Sequence, residues 1–182
     1  MDYINKETGW SLQWTRKVSE NYNTRPLNTN VSLLVIHCIS LPRGIYNTKN
    51  VEHFFQNKLD IQKYPQLKSL LDTKVSSHFL IERTGHIIQF VSIYNRAWHA
   101  GESKFNSIPN CNDYSIGIEL EGTDDDIFEE KQYESLIILT KVLKKIFPEI
   151  SNDRIVAHSD ISPGRKTDPG IGFDWKYFMA RL

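Results

Sequence analysis

Short apolar runs with the composition of buried strands alternate along this chain with segments of helical periodicity. Residues 32–39 and 115–120 are rich in Leu, Ile or Val, which is typical of strands inside a sheet. Residues 129–147 repeat apolar positions every three or four residues and stop at Pro148, which predicts the longest helix. Strands interleaved with helices predict an α/β domain with a central mixed β-sheet flanked by helices.

Weaker patterns predict the remaining elements. Residues 51–59 predict a short amphipathic helix, and residues 173–181 a terminal one. Residues 77–81 and 86–91 predict a hairpin, because Gly85 supplies the turn between them. A last short strand is predicted over 154–157. The polar leader up to Asn30 carries no predicted element.

Composition limits both the organisation of the chain and its partners. The 182 residues contain no linker-like stretch, so we expect one domain over residues 1–182. The 22 basic and 22 acidic residues cancel, which argues against nucleic acid or an anionic membrane as partner. No signal-like start is visible, and the longest apolar stretch, 31–39, is far shorter than the ~20 residues of a membrane span. We therefore expect a soluble, cytoplasmic protein in which Cys38 and Cys111 are reduced thiols.

Two histidines and an aspartate are candidate metal ligands. His37 ends the first apolar strand, and His158 follows the last one. Asp168 lies in a stretch that prolines and glycine keep from becoming helical. Two imidazoles and a carboxylate can hold zinc with one position open, as a catalytic site requires. Other donors compete in the sequence and stay open at this point: Asp160, His99 and Cys38, the last of which is more typical of a small buried side chain.

Glu119 and Lys166 are the candidate catalytic groups. Residues 116, 118 and 120 share one face of their strand, so Glu119 points to the other face, beside Gly117. Partial burial would raise the pKa of Glu119 and suit it to acid/base work. Lys166, two residues before Asp168, is placed to stabilise a developing negative charge. Glu121 fits better as a strand residue exposed to water.

A predicted loop at 96–101, Arg-Ala-Trp-His-Ala-Gly, offers an aromatic ring, an imidazole and small residues. Such a loop is suited to lining a sugar or peptide pocket. The remaining histidines are interpreted as structural or solvated: His53, His78 and His86.

Four segments carry a family resemblance: Ser-Leu-Pro at 40–42, the loop at 96–101, Cys-Asn-Asp-Tyr-Ser-Ile-Gly-Ile-Glu-Leu-Glu-Gly at 111–122, and Arg-Lys-Thr-Asp-Pro-Gly at 165–170. With them the chain resembles the zinc-dependent N-acetylmuramoyl-L-alanine amidases of the type-2 amidase and peptidoglycan-recognition fold. The likeness extends from Gly9 to Trp175.

The resemblance implies a role for each candidate. His37, His158 and Asp168 would bind Zn²⁺, with Glu119 as the acid/base and Lys166 as the charge stabiliser. Three further residues would line a muropeptide pocket: Lys74, Trp98 and His99. The bond cut would be the amide between (1,6-anhydro)-N-acetylmuramic acid and L-alanine, in cytoplasmic peptidoglycan recycling.

Two positions depart from the expected pattern. Cys38 stands where we expect an Asn, and Asn110 where we expect a basic residue. Both affect peptide recognition rather than the metal ligands. The alternatives to a recycling amidase are a non-catalytic peptidoglycan-binding module and a lysin that acts on intact cell wall.

Overall fold

The computed structural model describes residues 2–182, and its elements follow in chain order. The strands are β1 (Thr15–Arg16), β2 (Tyr22–Thr24), β3 (Leu33–Ile39), β4 (Phe79–Ile81), β5 (Ile87–Gln89), β6 (Asn95–Ala97), β7 (Lys104–Phe105), β8 (Ile108–Pro109), β9 (Ser115–Glu121) and β10 (Ile155–Ala157). The α-helices are α1 (Asn50–Phe55), α2 (Glu130–Ile146), α3 (His158–Ile161) and α4 (Trp175–Met179). Short 3₁₀ helices cover Pro65–Leu70, Cys111–Asp113 and Asn152–Arg154.

The central sheet has the order β1-β5-β4-β9-β3-β10. Strands β4, β9, β3 and β10 run parallel, whereas β4 and β5 pair antiparallel. The sheet is therefore mixed, and the predicted α/β class is confirmed. Two small antiparallel pairs lie outside it: β2 with β6 and β7 with β8.

The two faces of the sheet pack against different parts of the chain. Leu34 and Ile36 of β3 join Ile118 of β9 in a cluster with Leu136 and Leu139 of helix α2. The alternate residues of β3 pack on the other face with Ala100, Cys111 and Ile161. Because side chains alternate along a strand, His37 lies on this second face.

The predicted long helix, hairpin and strands are confirmed with small changes at their ends. Gly85 makes the hairpin turn at φ +83°, where its backbone N–H donates to the Glu82 carbonyl. The predicted helix over 51–59 is too long. Gln56 follows its last turn and Asn57 adopts φ +59°, a left-handed conformation that ends a helix.

The polar leader is more ordered than its composition suggests. It supplies β1 at the edge of the central sheet and β2 of a small pair, and Ile4 is buried in the main cluster. Within residues 2–182, none of the helices combines the length and apolar character that a bilayer span requires.

Candidate metal centre

The structure brings His37, His158 and Asp168 together at one edge of the sheet. Nδ1 of His37 lies 3.0 Å from Nδ1 of His158 and 3.1 Å from Oδ2 of Asp168. Nδ1 of His158 lies 3.0 Å from the same carboxylate oxygen. Both imidazoles are buried and the carboxylate is half-buried. One donor atom from each residue therefore points at a shared position.

The parallel sheet explains this convergence. His37 is near the end of β3, and His158 directly follows β10, its parallel neighbour. The carboxyl ends of parallel strands meet at the same sheet edge, where sites in α/β proteins are commonly built. Asp168 comes from the loop after α3, and its carbonyl oxygen accepts a hydrogen bond from the N–H of Ser159.

The donor set fits a zinc ion. Zinc with ligands at about 2.0–2.1 Å in a tetrahedron separates neighbouring donors by about 3.3 Å. The three observed separations, 3.0, 3.1 and 3.0 Å, describe a nearly equilateral triangle of that size. Within the part of the chain that the structure describes, two imidazole nitrogens and one carboxylate oxygen converge, and a fourth tetrahedral position has no protein donor, as a catalytic zinc site requires.

The protonation states also suit a cation. Burial raises the pKa of Asp168, but the close approach of the His158 and His37 imidazoles to its carboxylate lowers it by more, so its pKa lies well below the ordinary value. Burial, opposed by the adjacent carboxylate of Asp168, lowers the pKa of His37 to about 4. At neutral pH the aspartate is therefore ionised and His37 is neutral, the forms in which both bind metal.

Glu119 lies beside the three donors on the neighbouring strand. It is the register partner of His37 in β9 and is 8% exposed. Its Oε2 is buried and has no hydrogen-bond partner among residues 2–182. Burial, followed by the charge of Asp168, raises the pKa of Glu119 well above its ordinary value, and Lys166 opposes this shift. A carboxyl group in this state holds a proton more readily than an ordinary glutamate does, which suits it to acid/base work.

Lys166 is exposed and lines a cleft of about 380 Å³ together with Asp168, Cys38, Ser40, Arg43 and Asp124. The cleft therefore reaches the carboxylate end of the triangle. Cys38 is half-buried at its wall, and burial strongly raises the pKa of its thiol. Cys38 follows His37 in β3 and packs against the main apolar cluster on the other face of the sheet, so it is not one of the three converging donors.

The rival carboxylates have other partners. Asp160 is exposed and accepts a hydrogen bond from the N–H of Ala157, so it caps helix α3. The interpretation of Glu121 as exposed to water is wrong, since only 3% of it is exposed. Its carboxylate oxygens accept the backbone N–H groups of Asn47 and Arg83. Strand β9 is covered on both faces here, which its alternating pattern did not reveal.

His99 contacts the second ring nitrogen of His37 and is not itself one of the three converging donors. Its Nδ1 lies 2.9 Å from Nε2 of His37, the ring nitrogen that faces away from Asp168, and its Nε2 lies 3.0 Å from Ser115 Oγ. Burial strongly lowers the pKa of His99. Its backbone N–H donates to Oδ1 of Asn112. Neither Ser115 nor Asn112 had a predicted role in the site, although both lie in the segment at 111–122 that carries the family resemblance.

The other two candidates for substrate binding lie further out. Nε1–H of Trp98 donates to Asn23 Oδ1 at 2.7 Å, and Trp98 is half-buried. Lys74 is exposed between the 3₁₀ helix Pro65–Leu70 and β4. Their contact with a substrate stays a prediction.

The remaining histidines lie outside the ligand triangle. His78 is buried, and its Nδ1 accepts the N–H of Gly117 while its Nε2 lies 3.0 Å from the Asn95 carbonyl. This contact fits the structural role predicted for His78. His86 is exposed beside Thr15, and His53 lies on α1.

Comparison with known proteins agrees with this geometry. A family model described as N-acetylmuramoyl-L-alanine amidase matches residues 27–171. A protein of Haemophilus influenzae named 1,6-anhydro-N-acetylmuramyl-L-alanine amidase AmpD is 48% identical over 164 residues, which cover 90% of this chain and 89% of the relative.

Solved structures show the same similarity. A crystal structure of a selenomethionine derivative of AmpD superposes with a TM-score of 0.94 at 40% identity, covering 98% of each chain. A complex of the Escherichia coli amidase AmiD with the substrate anhydro-N-acetylmuramic acid-L-Ala-D-γ-Glu-L-Lys superposes with a TM-score of 0.62 at 30% identity, covering 86% of this chain and 60% of AmiD.

Proposed function

Because this chain belongs to the N-acetylmuramoyl-L-alanine amidase family, we propose that it hydrolyses the amide bond between (1,6-anhydro)-N-acetylmuramic acid and L-alanine of muropeptides. We place this reaction in cytoplasmic peptidoglycan recycling, performed by a single amidase domain over residues 1–182. The observation that carries the proposal is the triangle of His37, His158 and Asp168 with an unpaired buried carboxyl group, Glu119, on the adjacent strand.

In this proposal the triangle holds Zn²⁺. The donor spacing, the ionised aspartate and the neutral His37 support that assignment. The chemistry that zinc supplies when bound is Lewis-acid polarisation of the substrate carbonyl and activation of water.

Glu119 performs the proton transfers. Its raised pKa lets the carboxylate accept a proton from the attacking water, and the protonated group then gives it to the leaving nitrogen of L-alanine. The free Oε2 has no competing hydrogen bond that would hold it away from this task. Burial also excludes bulk water, which would otherwise exchange protons with the group.

Lys166 stabilises the oxyanion that forms on the former carbonyl oxygen. It is exposed on the wall of the cleft, two residues from Asp168. Its ammonium group therefore stays hydrated in the free protein and can contact a substrate that enters the cleft. Lys74, Trp98 and His99 are proposed to line the muropeptide pocket, although His99 also has the contact with His37 described above.

Two variants test the division of roles. Asp168→Ala removes a ligand and is expected to lose bound zinc together with amide cleavage. Glu119→Gln keeps the triangle and is expected to retain zinc while turnover falls by about 10²–10⁴-fold. Glu134→Gln, an exposed position on α2, is the matched control and should keep both properties. Undiminished turnover of Glu119→Gln would refute its role.

The choice of substrate tests the setting. Cleavage of a soluble anhydromuropeptide is measured beside cleavage of intact sacculi. Recycling predicts strong preference for the soluble compound, whereas a lysin would cut the sacculi at least as well. Zinc-loaded protein that binds the muropeptide and cuts neither substrate would behave as a recognition module and refute the proposal.

A further inference from the structure

Both candidate metal-binding histidines are held at their second ring nitrogen by adjacent residues of one loop. Nε2 of His37 meets Nδ1 of His99 at 2.9 Å. Nε2 of His158 meets the carbonyl oxygen of Ala100 at 3.1 Å. A neutral imidazole carries one donor and one acceptor nitrogen. A histidine that binds metal through Nδ1 must therefore keep its proton on Nε2.

A carbonyl oxygen can only accept a hydrogen bond, so the carbonyl groups of Cys111 and Ala100 fix the direction of each hydrogen bond that leads to the two histidines. Ser115 Oγ donates its only proton to the Cys111 carbonyl at 2.6 Å. It can therefore only accept from Nε2 of His99, 3.0 Å away. His99 then carries its proton on Nε2, and its Nδ1 is the acceptor.

The same reasoning fixes the proton of His37. Since Nδ1 of His99 accepts, Nε2–H of His37 must donate to it, and Nδ1 of His37 presents a lone pair toward Asp168. The carbonyl of Ala100 likewise forces the proton of His158 onto Nε2. Both ligands thus have the tautomer that binding through Nδ1 demands.

The His99 ring is packed tightly enough to keep these hydrogen bonds in place. Oδ1 of Asn112 accepts the backbone N–H groups of His99 and Ala100 at 3.0 and 2.8 Å. Gly117 leaves the space that the ring occupies: a Cβ at this position would lie 2.6 Å from His99 Nδ1 and 2.8 Å from its Cδ2. The absence of a side chain in β9 is what admits the ring.

We propose that His99 is a positioning residue which, through the chain His37–His99–Ser115–Cys111, sets the tautomer and orientation of His37 for metal binding. The inference rests on the proposed function only in that it takes the triangle as the metal site. It gives His99 a role different from substrate contact, and it gives Ser115 a role that no motif suggested.

The test measures zinc affinity by competition with a chelator. His99→Phe keeps an aromatic ring above Gly117 and removes both nitrogens, and Ser115→Ala removes the acceptor at the far end. Disturbing such an outer partner weakens metal binding about 10–100-fold, and we expect a loss in this range for His99→Phe and a smaller one for Ser115→Ala. His53→Phe on α1 is the matched control and should bind zinc like the wild type.

A second measurement separates positioning from simple loss of stability. In the zinc-loaded wild type, Nε2–H of His37 should give an imidazole proton resonance protected from solvent exchange, and His99→Phe should lose this protection. Unfolding midpoints of the metal-free proteins are compared in parallel. A structural role alone would lower the midpoint and leave zinc affinity and proton exchange unchanged, and this result would overturn the proposal.

The outcomes also distinguish this inference from the proposed function. Zinc affinity that is insensitive to Asp168→Ala would reject the triangle as the site and this inference with it. Zinc bound through the triangle and weakened by His99→Phe, but without amide cleavage, would reject the activity and support the positioning role. If His99→Phe fails to fold, the zinc affinity of Ser115→Ala decides between the outcomes. Zinc affinity of Ser115→Ala equal to that of the wild type would overturn the inference.

Discussion

Gly117→Ala adds one methyl group to β9 and tests whether the His99 ring holds His37 in place at the metal centre. The added Cβ would lie 2.6 Å from Nδ1 of His99, whereas ordinary contact begins at 3.4 Å. Cγ of the ring is closer still, so the ring must recede by at least ~0.8 Å. Its hydrogen bonds to His37 and Ser115 are 2.9 and 3.0 Å long, and such bonds weaken steeply when stretched beyond ~3.2 Å or bent below ~120°.

Two costs follow from this displacement. Overpacking a well-packed interior destabilises a protein by about 1–3 kcal/mol, and we expect a loss of this size in the free energy of unfolding of metal-free Gly117→Ala. Disturbing an outer-sphere partner weakens metal binding about 10–100-fold, which corresponds to about 1.4–2.7 kcal/mol. The second cost should appear only in zinc affinity.

The assay is a double-mutant cycle with denaturant unfolding and zinc competition as its two readouts. In the His99→Ala background the clash is gone, so adding Gly117→Ala should cost nothing or stabilise by up to about 1 kcal/mol, since alanine restricts the unfolded chain more than glycine does. The coupling between the two positions should then reach about 1–3 kcal/mol. Additive effects, or Gly117→Ala with wild-type unfolding and zinc affinity, would refute the proposed seating of the ring.

Three further predictions address charge, metal and packing. The raised pKa of Glu119 means that the metal-free fold is stabilised below the ordinary glutamate pKa of about 4.3 and loses that stability as pH rises through the folded value. The free energy of unfolding of metal-free Glu119→Gln should therefore equal that of the wild type near pH 4 and exceed it by about 1–3 kcal/mol at neutral pH, the cost of one unpaired buried polar group. Equal pH profiles of this free energy in the two proteins would contradict the prediction. Zinc at 100 times its Kd should add about 2.7 kcal/mol to stability, and a chelator or Asp168→Ala should remove the increment, as followed by thermal unfolding. Gln132→Ala removes a buried amide that donates to carbonyls of β4 and β9, so it should cost about 1–3 kcal/mol without changing zinc affinity; a matching loss of zinc affinity would show that α2 supports the centre.

Local patterns were sufficient to place the main elements and the candidate residues on them. Apolar runs marked β3 and β9, and alternation put Glu119 on the face opposite Ile118. They did not indicate which strands are neighbours. The pairing of β3 between β9 and β10 joins segments far apart in the chain, and this order is what makes His37 the register partner of Glu119 and brings His158 beside it.

The role of His99 behind His37 was harder to predict, because residues that hold a metal ligand in place have no fixed spacing from it in the sequence. His37 and His99 are separated by 62 positions, and the loop around Trp98 resembles a substrate-lining segment at least as much as a support. One signal was present in the sequence. A glycine inside a strand often marks the close approach of another group, and the His99 ring occupies the space above Gly117.

Strand β9 links these observations, because three alternate positions on one of its faces perform three separate tasks. Gly117 admits the ring that holds His37, Glu119 presents an unpaired carboxyl group, and Glu121 accepts backbone N–H groups from two loops. The strand lies between β3 and β4, so its backbone is paired on both sides. A shift of β9 by one residue would turn all three positions to the opposite face at once. The burial of Ile116, Ile118 and Leu120 against α2 therefore fixes the acid/base group and the support of the metal ligand together.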